Sequence, residues 1–599
     1  MASGNPVVPT TTGKVRGHTI KVGAQECHVF NGIPYAEPPI GDRRFRKPEA
    51  IKPWLHVRDT SAPGDHCMAT PGSRQDEQQV RPESENCLHL TIVKPTIDAA
   101  PDDVGTNQTY GRSVMVWLSG SNFMSSFDYD SPQAACANFA SRDVIFVSVQ
   151  YRLGYLGFLS TGDEAAPGNF GLYDQLMALR WINENIAEFG GDNGRVTLMG
   201  QGGSAACAAI LARYPPANDL IHRVIQQSGS PGAYWAVSKR SLKSEQRFSA
   251  VAGCTQTNST ERVECLREIR VYDLQRASRQ AFGLAGSYTR PRHSTVVKKG
   301  GGHGCFESFS FDWVPIPDGD IVKRSKPPTK LGEKIRPKPT IIGTTHNEML
   351  FLVKPQSYSK DLVWPVIEKR ESNLVPCFVN DRNDFSMDTF KEEIAVASEI
   401  YIDKDGWIVG KESLHEMKGL LKEIIEAVYV QENRAKGPAK RAKALVELIS
   451  DIAIGLPAIN DAQLMRKSRW DVWLYDFDFK PPEFADLKVW QGSPHGWDAK
   501  ILFSYDPMKT DEASLRMKDI MCDLFTNMAK HGVPTSKKAK STFDWEQYET
   551  NTNPTHLRLN LEPSRGDKLH DPTLTTWTLY APQVLKSKPP HKKPKKDEL

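Results

Sequence analysis

Arg195-Val-Thr-Leu-Met-Gly-Gln-Gly-Gly-Ser-Ala-Ala-Cys-Ala-Ala-Ile-Leu-Ala-Arg-Tyr214 is the stretch on which the fold turns. Arg195–Met199 reads as a short buried strand, Gly200–Gly203 as a tight turn, and Ser204–Tyr214 as a helix of small residues. Upstream, Val114–Leu118 and Val144–Tyr151 are β-branched and aromatic runs bounded by turn residues, the pattern of strands buried on both faces. Ser131–Ser141 between them has helical character, and Leu172–Phe189 repeats apolar residues at helical spacing before stopping at Gly190-Gly191. Strand, helix, strand, tight turn and helix in this order predict an α/β protein with a large, mostly parallel, twisted central sheet flanked by helices.

The surroundings fit one large unit with helical insertions. The chain has 599 residues, of which 39% are hydrophobic and 25% charged, enough for a sizeable core. Residues 401–450 hold a long amphipathic stretch rich in Lys and Glu, expected in a surface insertion. Residues 1–580 therefore read as one domain, and 581–599 as a disordered Lys- and Pro-rich tail. That tail carries the whole formal surplus of +4, which leaves the body neutral and excludes the clustered basic charge that nucleic acid requires. No run approaches the roughly 18 apolar residues of a membrane helix.

The two ends point in different directions. Met1–Thr12 has no apolar signal core, yet the chain closes on Lys596-Asp597-Glu598-Leu599, a retention address of the endoplasmic reticulum lumen. Either a leader is missing from this sequence or the ending is accidental, in which case the protein is cytoplasmic. Cys67 and Cys87 bracket a polar loop, and Cys254 and Cys265 a short one, while sequons stand at Asn107 and Asn258. Two short closable loops and two glycan acceptors agree with the lumen.

The motifs then become specific. Gly32-Ile-Pro-Tyr-Ala-Glu-Pro-Pro39, Arg44-Phe45, Ser84-Glu-Asn-Cys-Leu88, Tyr151-Arg-Leu-Gly-Tyr-Leu-Gly-Phe158, Gly168-Asn-Phe-Gly-Leu-Tyr-Asp-Gln175, Gln227-Ser-Gly229 and Asp318-Gly319 follow one another in order. In this the chain resembles the type B carboxylesterase/cholinesterase family of α/β-hydrolases over nearly its whole body. The resemblance implies acyl transfer by a serine triad. In that chemistry a sharp Gly-x-Ser-x-Gly turn presents the serine oxygen to a histidine.

Here that turn reads Gly200-Gln-Gly-Gly-Ser204, so Gly202 occupies the nucleophile position. Loss of such an oxygen lowers turnover by about 10⁶. Glu348 and His495 match the family's acid and base, although Met349 stands where a glycine usually follows the acid. The family's oxyanion loop, His-Gly-Gly-Gly-Phe, is replaced by Ser119-Gly-Ser-Asn-Phe123. Ser121 and Asn122 there bring side chains into space a substrate would need, and Gly203 is the remaining donor position beside the turn. Losing one oxyanion donor typically costs about 10²–10³ in turnover.

Other nucleophiles fit less well. Ser204 should project from the first helical turn away from His495, Ser228 should support the triad from behind, and Cys207 reads as core. The Cys67–Cys87 segment has no aromatic residue, which removes cation–π recognition of a choline group. The resemblance further implies an Arg44–Glu85 ion pair beside that disulfide. It leaves a third disulfide in doubt, because Cys522 fits one half and Gly455-Leu456-Pro457 occupies the region of the other.

No metal or cofactor is expected. Non-catalytic branches of the family include adhesion proteins such as the neuroligins. The expectation is thus a non-hydrolytic protein that binds a small acyl ligand or a client protein. The alternative is a weak ester hydrolase using His495 and Glu348. A homodimer through helices near 510–530 is compatible with either.

Overall fold

The architecture is that of a computed structural model. It describes residues 5–68, 82–96, 111–120, 122–125, 130–282, 311–323, 331–350, 438–484, 492–506, 510–535, 543–549 and 555–566, with a few residues between these stretches. Ser121, Asn107 and the tail 581–599 lie outside the described residues.

Eleven strands form one sheet. In chain order they are β1 (His18–Val22), β2 (Gln25–Pro34), β3 (His89–Pro95), β4 (Arg112–Leu118), β5 (Ile145–Val149), β6 (Gly191–Gln201), β7 (Arg223–Gln227), β8 (Thr340–Thr345), β9 (Val472–Phe477), β10 (His556–Leu559) and β11 (Ser564–Gly566). Across the sheet the order is 1-2-3-5-4-6-7-8-9-10-11. Strands β4 to β10 run parallel, and β1, β2, β3 and β11 pair antiparallel at the edges. The order reverses beside β4, between β5 and β6, and such a switch point opens a crevice at the carboxyl ends of the strands.

Alternation within the strands builds two cores. Val114, Val116 and Leu118 of β4 face one side with α2 (Phe170–Asn185) and α3 (Gly203–Ala212). Met115 and Trp117 face the other, with α1 (Pro132–Asn138) and α5 (Glu512–His531). Every residue of β4 and β5 is buried, which is why both read as continuous apolar runs rather than as alternating ones. The start of α1 is fixed by Ser131, whose hydroxyl accepts from the Ala134 amide, with Pro132 in the first turn.

Several boundaries differ from the sequence reading. β6 extends over Gly191–Gln201 because its pairing with β4 continues past an irregularity between Gly191 and Val196. The segment 401–450 lies mostly outside the described residues; its end, the amphipathic helix Pro438–Ser450, turns one face into the main core. Ala442, Leu445, Val446 and Ile449 recur at helical spacing and are all buried, while Lys443 pairs outward with Glu447. The exposed face of α5 is charged (Glu512, Arg516, Asp519 and Asp523), and Arg142 already binds Asp519 and Asp523 at 2.9 and 2.7 Å.

Cys67–Cys87 and Cys254–Cys265 are disulfide-bonded as expected. A third bridge, Cys27–Cys136, ties β2 to α1 across 109 residues of sequence and was not anticipated. Cys522 is a free buried thiol, as is Cys207. Among the described residues no helix is long and apolar enough to cross a membrane.

Candidate functional site

The residues singled out in sequence gather at the carboxyl edge of the parallel strands. The loop from Ser119 follows β4, Gly202 follows β6, Ser228 follows β7, Glu348 lies three residues beyond β8, and His495 lies on the segment after β9. Gly202 makes the turn from β6 into α3 with φ 59° and ψ −120°. This backbone is costly for a residue with a side chain and easy for glycine. Its N–H donates to Gln227 O at 2.8 Å, and its carbonyl accepts from Ala206 N at 3.1 Å, closing the first turn of α3. Gly229 presses against the same carbonyl, and a Cβ there would come within 1.9 Å of it.

Ser204 and Cys207 are both buried in α3. The Ser204 hydroxyl is buried and hydrogen-bonded to the Tyr151 hydroxyl at 2.7 Å. Burial raises the Tyr151 phenol well above its ordinary range. It also pushes the Cys207 thiol up to about 12, so that the thiol stays protonated. Gly203 opens α3 and is buried.

The loop after β4 folds onto itself. Ser119 N donates to Val149 O at 3.0 Å, and Gln150 donates to the Ser119 hydroxyl at 3.1 Å. Asn122 commits its carboxamide oxygen to the Met124 amide (3.1 Å) and the Ser125 hydroxyl (2.6 Å). Its short side chain forms a local turn rather than directing that oxygen into substrate space. The left-handed position is taken by Phe123 at φ 63°, and its buried ring packs 5.5 Å from Phe158 and 6.2 Å from Trp235.

Opposite this loop the acid–base pair is complete. Glu348 is 1% exposed, and its Oε1 accepts from Ser228 Oγ at 2.6 Å and from Thr345 N at 2.7 Å. Its Oε2 lies 2.6 Å from His495 Nδ1. Backbone bonds from His495 N to Glu348 O (3.0 Å) and from Asn347 N to Ser493 O (3.1 Å) join the two loops that carry them. Beneath the pair, buried Asp498 accepts from Tyr475 (2.7 Å) and Gln227 (3.0 Å), and burial raises its carboxyl above the usual range. The other imidazole nitrogen, His495 Nε2, lies 2.8 Å from Gln201 Nε2. Sequence reasoning passed over Gln201, since a glutamine at the end of a strand carries no motif of its own.

Away from the crevice, Arg44 pairs with Glu85 through two bonds of 2.7 Å. Its third nitrogen donates to the carbonyls of Leu266, Arg267 and Ile269, which end α4 (Ser259–Glu268). Asn258 begins that helix, exposed, with its side-chain oxygen accepting from Thr260 N and Glu261 N. No group of three His, Cys, Asp or Glu side chains that could hold a metal occurs among the described residues.

A large, mostly parallel sheet with these loops at its carboxyl edge is the α/β-hydrolase arrangement, and the carboxylesterase family model matches residues 4–577. The chain belongs to the carboxylesterase family. Within that family it is similar to Carboxylesterase 3 of Homo sapiens, 28% identical over 97% of this chain and 91% of the relative. It is likewise similar to Neuroligin-2 of Mus musculus, 27% identical over 97% of this chain and 68% of the relative. Liver carboxylesterase 1 of Oryctolagus cuniculus is 26% identical over 98% and 95% of the two chains.

Proposed function

We propose that this carboxylesterase-family protein is non-hydrolytic and acts by binding a ligand or protein partner within the secretory pathway. The observation that carries the reading is Gly202 at the strand-to-helix turn, with φ 59° and ψ −120°. The turn is built, but the residue at its apex has no oxygen to form an acyl-enzyme. Without that attack the family's mechanism has no first step, whatever the state of the base. The loop after β4 supports the same reading, because Asn122 and Phe123 hold it together through contacts of their own.

A luminal setting is supported by three disulfides among the described residues and by the exposed sequon at Asn258. The similarity to a neuroligin as well as to carboxylesterases makes a protein partner a natural occupant. A second reading, weak hydrolysis of carboxylic esters by a water that His495 activates, draws on the intact 2.6 Å Glu348–His495 bond.

The test uses the unaltered chain. Short-chain aryl esters should turn over no faster than in buffer, and a fluorophosphonate should label no serine. Turnover abolished by His495→Ala, or labelling at any serine, would sink the non-hydrolytic reading.

A further inference from the structure

Gln201 is the last residue of β6, and its carboxamide reaches the imidazole from the side on which a nucleophile would stand. An amide nitrogen has two hydrogens and no lone pair to offer, so in a hydrogen bond it can only donate. With the carboxamide nitrogen turned to the ring, His495 Nε2, 2.8 Å away, is the acceptor in this arrangement and carries no proton. The one ring proton then resides on Nδ1, where Glu348 Oε2 receives it at 2.6 Å. The order amide, imidazole, carboxylate is thus a directed chain in which each donor meets an acceptor.

The chain is shielded at both ends: Gln201 is 3% and Glu348 1% exposed, while the His495 side chain between them is 13% exposed. A water reaching Nε2 would have to displace the hydrogen bond from Gln201, and a buried donor left without an acceptor is expensive. The neighbouring Gly202 adds no side chain that could compete for the imidazole.

We infer that Gln201 is a positioning residue that has taken the hydrogen-bonding place of the missing nucleophile, holding His495 as the neutral Nδ1–H tautomer with its basic nitrogen occupied. This rests on the non-hydrolytic reading and deepens it: the acid–base pair is kept, and the amide keeps it from acting on water. Gly202→Ser alone would meet an imidazole already engaged.

The test reads the imidazole directly in the full chain. With ¹⁵N-labelled histidine, and His495 assigned through His495→Gln, Nδ1 should be protonated and Nε2 bare. Diethyl pyrocarbonate, which acylates a bare imidazole nitrogen, should modify His495 slowly. In Gln201→Met, which keeps the length and removes the donor, that rate should rise on the order of tenfold. In Gln201→Glu the new carboxylate can only accept, so Nε2 should acquire a proton.

A proton on Nε2 in the unaltered chain, or equal acylation rates with and without Gln201→Met, overturns the inference. The ¹⁵N measurement requires no variant of Gln201 to fold. Either overturning result with no ester turnover leaves the non-hydrolytic reading standing, whereas turnover with a bare Nε2 removes that reading and leaves the tautomer assignment.

Discussion

The two halves of the site have fared differently. Around Glu348 and His495 every contact fits its neighbour: a hydroxyl and an amide on Oε1, an imidazole on Oε2, and backbone bonds joining the loops. Gly202 brings no side chain to its turn, and Ser119 and Asn122 spend their side chains on bonds in and beside their own loop. The difference follows from the cost of change on each side. Deleting one member of a buried hydrogen-bonded cluster leaves the others unsatisfied, a penalty of about 1–3 kcal/mol for each abandoned group. Replacing a residue of left-handed backbone by glycine relieves strain instead. The acid–base half is therefore held by folding whether or not it works, and the nucleophile half is free to drift.

The largest effect should come from the held half. Glu348→Ala removes the acceptor for Ser228, Thr345 and His495 and, with three donors abandoned, should destabilise by about 3–5 kcal/mol in denaturant titration. A loss under about 1 kcal/mol would break the comparison. Gly202→Ala tests the drifting half. It forces a side chain onto φ 59° and should cost about 1–3 kcal/mol without conferring activity. An unchanged melting temperature would mean the turn relaxes readily.

Ser228→Ala keeps the backbone and loses one bond to a charged group, an effect of about 1.5–3 kcal/mol by chemical denaturation. Asn122→Ala loses a turn at the loop surface and should cost about 0.5–1.5 kcal/mol, less than Ser228→Ala. The reverse ranking would place the rigid part of the site in the loop after β4.

A pH dependence should also appear in the loop that carries Glu348. Burial alone would lower His346, but Asp476, 2.8 Å from its Nδ1, overrides this and holds it up at about 9. A raised histidine stabilises fully below its unfolded value near 6.5 and loses that contribution as pH climbs through 9. Melting temperatures of His346→Gln should therefore fall below those of the unaltered chain at pH 6, with the gap closing by pH 9.5. A gap that widened with pH would reverse the assignment.

Legibility in the sequence varied with the range of the interaction. β4 and β5 were readable because strands buried on both faces are apolar throughout. α2 was readable because a one-sided helix repeats its apolar residues every three to four positions. Glu348, His495 and Gly202 could be named from motifs whose order the family keeps. The Cys27–Cys136 bridge could not, since 109 residues separate its ends and spacing favours only short loops. In Pro438–Ser450 the helical spacing was readable, but not that Ala442, Leu445, Val446 and Ile449 would meet the main core.

What the sequence determined by itself is the absence of an oxygen at position 202, a covalent fact that no folding can alter, together with the periodicities that select a two-sided sheet. What the tertiary structure alone decided is which partner each polar group meets. Gln201 and His495 are 294 residues apart, and only the packing of β6 beside the loops after β8 and β9 brings their nitrogens to 2.8 Å. A hydrogen bond is short and directional, so the residue types allow many pairings and the path of the chain selects one.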